Sequence, residues 1–259
     1  MPFDPMKKDL TVAVIGTGTM GRGIVQVSAQ GGMNVIAFDE KAGAAEAARA
    51  YIQKMLAGLV EKGRVTAEEA AATVGRIAIA TKLEDVAKAD IVIEAIIERL
   101  DIKQALYEKL DAICSPDVIL ASNTSSLPVT AIAARCKHPE RVGGMHYFNP
   151  VPLMKLVEII PGLKTAPWVT EAMTAIGRRQ TREPVVCIDS PGFIVNHAGR
   201  GIQEAQRVLI ERIATHAEID RILTGAPGFR LGPYALADMV GMDIRSEEHT
   251  SELQSPCNL

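Results

Sequence analysis

The chain has 259 residues and lacks long apolar runs, runs of one charge and cysteine motifs. No apolar stretch approaches the roughly 18 residues that suggest a membrane-spanning helix, and the first residues contain no apolar signal-peptide region. The net charge is −3 and no lysine–arginine cluster occurs, so neither nucleic acid nor a membrane is expected as a partner. The four cysteines show no CxxC or metal-ligand spacing. We therefore expect a cytoplasmic protein without a metal site.

The sequence does contain an alternation of two hydrophobic patterns. Hydrophobic residues make up 47% and charged residues 23%, which is ordinary for globular domains. Short apolar runs typical of buried strands alternate with helical patterns up to residue 188, and only helical patterns follow. This order predicts an α/β fold with a Rossmann-type doubly wound, mainly parallel sheet in residues 1–188 and an all-α domain in residues 189–244. Ser190 and Pro191 predict the start of its first helix, as N-cap and first-turn residue.

The first strand pattern ends in a glycine-rich loop with the sequence GTGTMG. Its glycines, Gly16, Gly18 and Gly21, are spaced as GxGxxG between a strand and a helix. In a dinucleotide-binding unit, the first glycine allows a tight turn, the second lets a pyrophosphate approach the backbone, and the third lets helix and strand pack closely. Thr19 and Met20 would lie at the helix N-terminus, which faces the phosphates. An ordinary strand–turn–helix with flexible glycines is the alternative.

The second strand pattern ends at Asp39, which is followed by Glu40. A carboxylate at this place accepts hydrogen bonds from the hydroxyls of a cofactor ribose. A 2′-phosphate would meet two carboxylates with no adjacent arginine. The sequence therefore predicts NAD rather than NADP as the cofactor.

The stretch GGMHYFNPVPLMKLVE places His146, Asn149 and Glu158 in a mostly apolar segment. Burying three polar groups costs free energy unless each finds a partner, so they either satisfy each other or line a site. None of the four tyrosines is followed by a lysine four residues later, which disfavours the Tyr-xxx-Lys pair of short-chain dehydrogenases. A nicotinamide enzyme with this sequence needs another acid–base group.

Five motifs carry a resemblance to a known family. They are GTGTMGRGI, IVIEAIIERLDIK, SNTSSLPVT, GMHYFNPVPLMKLVE and DSPGFIVNHAGRG. In this order they resemble the L-3-hydroxyacyl-CoA dehydrogenase family over residues 10–244. The TAPW element and VNHAGRG further resemble its bacterial branch of 3-hydroxybutyryl-CoA and phenylacetate catabolism. The resemblance implies NAD-dependent, reversible oxidation of the 3-hydroxyl of an L-3-hydroxyacyl-CoA, in fatty acid β-oxidation or related acyl-CoA catabolism, by a protein whose full-length form is a homodimer.

The resemblance also implies roles for individual residues. His146 matches the catalytic base, and Glu158 matches the carboxylate that fixes the imidazole tautomer and stabilises the imidazolium. Ser125 and Asn196 match residues that hydrogen-bond the reacting oxygen. The alternative for the His146–Glu158 pair is a structural one, in which the two groups only satisfy each other. Without the resemblance, Ser125 would be interpreted as a turn or capping residue.

Further positions match cofactor and substrate contacts of the family. Glu98 and Lys103 match positions around the nicotinamide ribose, although their spacing alone fits an ordinary solvated helix start. Asn149 matches a residue near the nicotinamide ring, and Ser125 belongs to the same set of expected cofactor contacts. Lys62 ends a long helix, where it would either meet CoA phosphates or complement the helix macrodipole.

The last segment, RSEEHTSELQSPCNL at residues 245–259, does not continue the family pattern. It resembles the in-frame translation of a sequencing-adapter oligonucleotide, and we expect it to be a non-native tail on a C-terminal domain that is incomplete after residue 244. The alternative to an active enzyme is then that this 259-residue chain is an inactive truncated fragment. A genuine disordered polar tail is the alternative. Two further alternatives stay open. The natural parent could be longer, with a second helical domain, or the protein could bind NAD without catalysis, as do the lens-crystallin relatives of the family.

Overall fold

The computed structural model describes residues 3–198, 201–225 and 229–240. The chain divides into two compact units, residues 1–189 and 190–259. This division falls one residue after the domain boundary that the sequence analysis places at 188. The predicted tail, residues 245–259, lies outside the described residues.

The first unit is built on eight strands, which arise from runs of valine, isoleucine and alanine. They are β1 (Thr11–Ile15), β2 (Asn34–Phe38), β3 (Ile77–Ile79), β4 (Ile91–Glu94), β5 (Ile119–Ser122), β6 (Val142–Tyr147), β7 (Leu156–Pro161) and β8 (Glu183–Val186). The central strands are buried almost without interruption, as expected where helices cover both faces of a parallel sheet.

Six helices of this unit connect the strands. They are α1 (Thr19–Gln30), α2 (Ala44–Glu61), α3 (Ala67–Gly75), α4 (Leu100–Ile113), α5 (Val129–Ile132) and α6 (Pro167–Arg179). A capping box defines the start of α3, where Thr66 accepts from the backbone of Glu69 and the Glu69 side chain accepts from the backbone of Thr66. Strands and helices alternate along this unit up to β8, as the sequence pattern predicts.

The strand order is β3-β2-β1-β4-β5-β6-β7-β8. All neighbours are parallel except β6 and β7, which are antiparallel. The chain moves outward from β1 to β3 and then returns to the other side of β1 with β4. This reversal creates a crevice outside the carboxyl ends of β1 and β4, the place where doubly wound sheets bind their ligands. The predicted Rossmann-type fold is confirmed.

The described part of the second unit is helical. Its helices are α7 (Val195–Ala198), α8 (Gly201–Ile210), α9 (His216–Gly225) and α10 (Pro233–Val240). The helix predicted to begin at Ser190 is wrong: residues 191–194 form a turn, and α7 starts only at Val195. Gly192 and Phe193 have φ angles of 79° and 46°, which a right-handed helix cannot contain. Within the described ranges, no helix is long and apolar enough to cross a membrane.

Candidate active site

The glycine loop joins β1 to α1 with the geometry that the GxGxxG spacing predicts. Gly16 has a φ of 85°, and a Cβ atom on it would lie 2.6 Å from the carbonyl oxygen of Ala95. A Cβ atom on Gly21 would collide with the carbonyl of Gly16, so helix and loop can approach this closely only without a side chain there. By contrast, a Cβ on Gly18 would meet nothing within 4 Å. The space beside Gly18 suits a bulky ligand at the N-terminus of α1.

Asp39 follows β2 and holds the glycine loop in place. Its Oδ2 accepts hydrogen bonds from the backbone N–H and the hydroxyl of Thr17, at 2.6 and 2.9 Å, and its Oδ1 accepts from the backbone N–H of Lys41 at 2.9 Å. Burial alone would raise the pKa of Asp39, but these hydrogen bonds outweigh it and lower the pKa below its usual value. The carboxylate therefore stays ionised at the position where a ribose diol is expected.

These features together fit a dinucleotide. The loop offers open space at Gly18, Thr19 and Met20 form the first turn of α1, and an ionised carboxylate stands at the end of β2. Anionic groups are favoured at a helix N-terminus, where backbone N–H groups lack intrahelical partners. The crevice beside β1 and β4 is thus equipped for the pyrophosphate and ribose of a cofactor.

His146 and Glu158 face each other across the antiparallel pair β6–β7. The two residues are direct partners in the strand register, and Nδ1 of His146 lies 2.7 Å from Oε2 of Glu158. Both side chains are buried, and the ring of Phe148 packs on the imidazole with centroids 4.4 Å apart. Because an ionised carboxylate can only accept a hydrogen bond, this contact fits an imidazole that carries its hydrogen on Nδ1.

The loop after β5 carries Ser125 and is organised by Glu98. Oε1 of Glu98 accepts from the backbone N–H of Ser125 at 2.8 Å and from the hydroxyl of Thr124 at 2.5 Å. The hydroxyl of Ser125 lies 3.4 Å from the same oxygen. Because β5 and β6 are parallel neighbours, this loop emerges at the same sheet edge as the end of β6. Ser125 and His146 therefore belong to one edge of the sheet.

A buried charge cluster supports this loop, and the sequence analysis missed one of its three residues, Glu94. The amino group of Lys103 lies 2.6 Å from Oε1 of Glu94 and 3.3 Å from Oε2 of Glu98. The other oxygen of Glu94 accepts from the hydroxyl of Ser122 at 2.8 Å. Glu94 is the last residue of β4, which has the sequence IVIE. A glutamate at the end of an otherwise apolar strand could have indicated this buried charge. We refer to Glu94, Glu98 and Lys103 as the β4–α4 charge cluster.

Lys103 lies at the centre of this cluster. Its side chain is buried between two carboxylates. Burial would lower the pKa of Lys103, but Glu94 and Glu98 outweigh this effect and raise it. Burial would likewise raise the pKa of Glu98, whereas Lys103 and the hydrogen bonds from Thr124 and Ser125 lower it. Lys103 thus pairs with Glu98, which retains a partly exposed side chain, and the roles of both residues toward a cofactor ribose stay predictions.

Two further side chains fix the same sheet edge, and neither was predicted. Oδ1 of Asn123 accepts from the backbone N–H of Tyr147 at 2.9 Å, which ties the β5 loop to the end of β6. Asp189 accepts from the backbone N–H groups of Val129 and Thr130, at 2.8 and 2.7 Å, and so caps α5 just after the Ser125 loop.

Three more residues were predicted to belong to the site. Asn149 is exposed and follows β6 by two residues. Lys62 is the C-cap of α2 and is also exposed, which fits both a phosphate contact and a favourable interaction with the macrodipole. Asn196 lies in α7 of the second unit. The roles of these three residues stay predictions.

A glycine loop at the switch point of a doubly wound sheet, together with a buried His–Glu pair on β6 and β7 of the same sheet, fits a dehydrogenase of the Rossmann class. Comparison with known families agrees. The family model described as "3-hydroxyacyl-CoA dehydrogenase, NAD binding domain" matches residues 11–190, and the model of the C-terminal domain matches residues 192–254. The chain belongs to the 3-hydroxyacyl-CoA dehydrogenase family, whose members are NAD-dependent oxidoreductases. The prediction of the family and that of NAD are confirmed.

Two curated relatives illustrate the similarity. The chain is 45% identical to the 3-hydroxyadipyl-CoA dehydrogenase of Escherichia coli over 235 residues, which are 90% of the chain and 50% of that protein. It is 39% identical to a 3-hydroxybutyryl-CoA dehydrogenase of Clostridioides difficile over 236 residues, 91% of the chain and 84% of that protein. The chain thus spans half the length of the first relative and most of the second.

Solved structures show the same fold. The crystal structure of (S)-3-hydroxybutyryl-CoA dehydrogenase from Ralstonia eutropha matches with a TM-score of 0.89 at 38% identity, covering 95% of the chain and 88% of that protein. The 3-hydroxybutyryl-CoA dehydrogenase structure from E. coli K12 matches with a TM-score of 0.90 at 42% identity, covering 96% of the chain and 54% of that protein. The match of the C-terminal family model to residue 254 extends into the segment that the sequence analysis sets apart.

Proposed function

We propose that this protein catalyses the reversible, NAD-dependent oxidation of an L-3-hydroxyacyl-CoA to a 3-ketoacyl-CoA. The observation that carries the proposal is the buried His146–Glu158 pair at 2.7 Å, on the same sheet edge as the Ser125 loop. A dinucleotide crevice alone would bind a cofactor, but a reaction at a carbinol also needs a proton acceptor. The imidazole supplies one in a fixed tautomer.

The mechanism assigns each group a separate task. Nε2 of His146 removes the proton of the 3-hydroxyl, and Glu158 stabilises the imidazolium that forms. The hydroxyl of Ser125 donates a hydrogen bond to the reacting oxygen, with Asn196 as a second donor. NAD, when bound, supplies the acceptor for the hydride that leaves C3. Glu98 and Lys103 keep the Ser125 loop in place, Gly16, Gly18 and Gly21 shape the cofactor loop, and Asp39 binds a ribose diol.

The substrate and assembly are part of the same proposal. The relatives are named for 3-hydroxybutyryl-CoA and 3-hydroxyadipyl-CoA, so we propose a short or medium acyl chain on CoA. Lys62 and Asn149 would contact the CoA phosphates and the nicotinamide ring, respectively. We further propose that the full-length protein is a cytoplasmic homodimer that requires neither nucleic acid nor a membrane.

The test is reduction of acetoacetyl-CoA, followed by the loss of NADH absorbance. The wild-type chain should turn over, and Glu158→Gln should lower kcat by about tenfold or more because an amide cannot stabilise the imidazolium. Glu171→Gln, an exposed change on α6, is the matched control. NADH binding without any turnover in the wild-type chain would instead favour a non-catalytic NAD-binding protein. A panel of 3-hydroxybutyryl-CoA and 3-hydroxyadipyl-CoA then ranks the substrates.

A further inference from the structure

The connection between β6 and β7, residues 148–155, packs directly on helix α1. Val151 in this connection is buried and lies beside Gly23, one turn after the first residue of α1. A Cβ atom on Gly23 would lie 2.7 Å from the Cβ atom of Val151 and 3.0 Å from its Cγ2 atom. Both distances are well inside the ~3.5–4.0 Å at which carbon atoms pack. The connection can therefore reach the helix at this point only because residue 23 has no side chain.

Arg182, just before β8, holds the backbone of the same connection. Its Nη1 donates to the carbonyl oxygens of Val151 and Met154, at 3.1 and 2.6 Å. Its Nε donates to the carbonyl oxygen of Gln180 at 3.0 Å. A planar guanidinium that donates to three carbonyl groups is fixed in orientation and fixes its acceptors in turn. Packing on α1 and hydrogen bonds from Arg182 thus define one position of the connection.

A buried chain of polar groups joins α1 to β6 as well. The hydroxyl of Tyr147 donates to Oε1 of Gln180 at 2.6 Å, and Nε2 of Gln180 donates to the hydroxyl of Ser28 on α1 at 2.8 Å. All three side chains are buried. Breaking such hydrogen bonds leaves buried polar groups without partners, so the chain specifies one placement of the two elements. The segment that begins beside His146 is therefore joined to α1 at two places.

These contacts lie between the two parts of the proposed site. Helix α1 begins at the cofactor loop, and the connection begins at Phe148, whose ring packs on the imidazole of His146 with centroids 4.4 Å apart. We propose that Gly23, Val151 and Arg182 are positioning residues, which hold the connection on α1 and so set the surroundings of the imidazole relative to a nucleotide at the start of that helix. The proposal rests on the proposed function. A misplacement of about 1 Å can cost ~10²-fold in rate, so one steric contact is enough to alter kcat.

The first test is a steric swap on the full chain. Gly23→Ala creates the clash, and the double variant Gly23→Ala/Val151→Gly removes it, because the next nearest atom, Cδ of Pro152, is 3.5 Å away. We expect Gly23→Ala to lower kcat for acetoacetyl-CoA reduction by about tenfold while NADH affinity stays within about twofold, since the glycine loop is unchanged. The double variant should recover most of the loss. Gly58→Ala on α2, where a Cβ atom meets nothing within 4 Å, is the matched control and should keep the wild-type kcat.

Hydrogen exchange tests the contact without turnover. The backbone N–H groups of Leu153 and Met154 donate to the carbonyl oxygen of Pro150 within the connection, so their exchange rates report its local opening. Gly23→Ala should raise both rates in the free protein by about tenfold, and the double variant should restore them. Arg182→Lys should also raise them, because an ammonium lacks the planar fork that serves three carbonyl groups. Binding of NADH should slow exchange at both positions in the wild type and less so in Gly23→Ala.

Three outcomes would overturn the proposal. The first is wild-type exchange at Leu153 and Met154 in both Gly23→Ala and Arg182→Lys. The second is an unchanged kcat in Gly23→Ala despite faster exchange, or an equal loss of kcat in the single and the double variant. The third is a lack of protection of these two positions when NADH is added to the wild type. Protection by NADH in a wild-type chain that does not turn over acetoacetyl-CoA would support the contact and count against the proposed function alone.

Discussion

The cofactor loop and the His146 site are both in the first unit, yet they are built by different means. The loop is defined by backbone geometry, with positions such as Gly16 and Gly21 that exclude a Cβ atom. The His146 site is defined by side chains that meet from β4, β5, β6 and β7. A local motif therefore specifies the first site, whereas the second depends on the whole sheet. Substitutions should separate the two.

The largest effect is expected in the β4–α4 charge cluster, on which the Ser125 loop depends. Lys103→Met would leave two carboxylates, Glu94 and Glu98, without their cation in a buried place. Removing one partner of a buried ion pair costs about 3–5 kcal/mol. We expect a loss of that size in the free energy of unfolding measured with urea. Lys109→Met, on the exposed side of α4, should change it little, and equal stability of both variants would contradict the prediction.

His146→Gln should affect chemistry without affecting the cofactor loop. A general base typically contributes ~10²–10⁴-fold, so we expect kcat to fall by at least about a hundredfold. NADH affinity, measured by fluorescence titration, should stay at the wild-type value because the glycine loop lies on other strands. Turnover near the wild-type level would show that His146 is not the general base.

Substitutions in the glycine loop should show the opposite pattern. Gly18→Val adds a side chain into space that is open in the structure, so the melting temperature should be retained while NADH affinity falls by about tenfold or more. Gly21→Ala has no space beside the Gly16 carbonyl and should lower the melting temperature instead. Normal NADH binding by the Gly18→Val variant would contradict the assignment of the pyrophosphate to this position.

The smallest expected effect is a pH dependence. Because the pKa of Glu98 is lowered in the folded chain, its stabilisation is complete above the ordinary value of 4.5 and is lost as the pH falls through the lower folded-state value. Glu98→Gln should therefore flatten the dependence of melting temperature on pH below about 4.5. The exposed Glu108→Gln serves as the reference, and identical slopes for both variants would argue against the assignment.

The two regions also differ in how much of them could be predicted from the sequence. The glycine loop and Asp39 lie within one β–α–β unit, so spacing along the chain was sufficient. Glu94 and Asn123 form hydrogen bonds with residues more than 20 positions away in sequence, Ser122 and Tyr147. The sequence around them shows only apolar strand patterns, which do not predict these contacts. The start of α7 was missed because the left-handed conformation of Phe193, a non-glycine residue, carries no sequence signal. Local rules thus predicted elements, whereas contacts across the sheet required the structure.

The ladder between β6 and β7 has a consequence for sequence variation. His146 and Glu158 are opposed because of strand register, so the length of the connection between the strands does not enter into their contact. Insertions in that connection would therefore leave the two side chains opposite each other. A shift of β7 by a single residue has the opposite result, since it would bring Val157 or Ile159 opposite the imidazole and turn the carboxylate to the other face of the sheet. The His146–Glu158 contact thus tolerates changes in the length of the connecting loop but does not tolerate a change in the pairing of the strands.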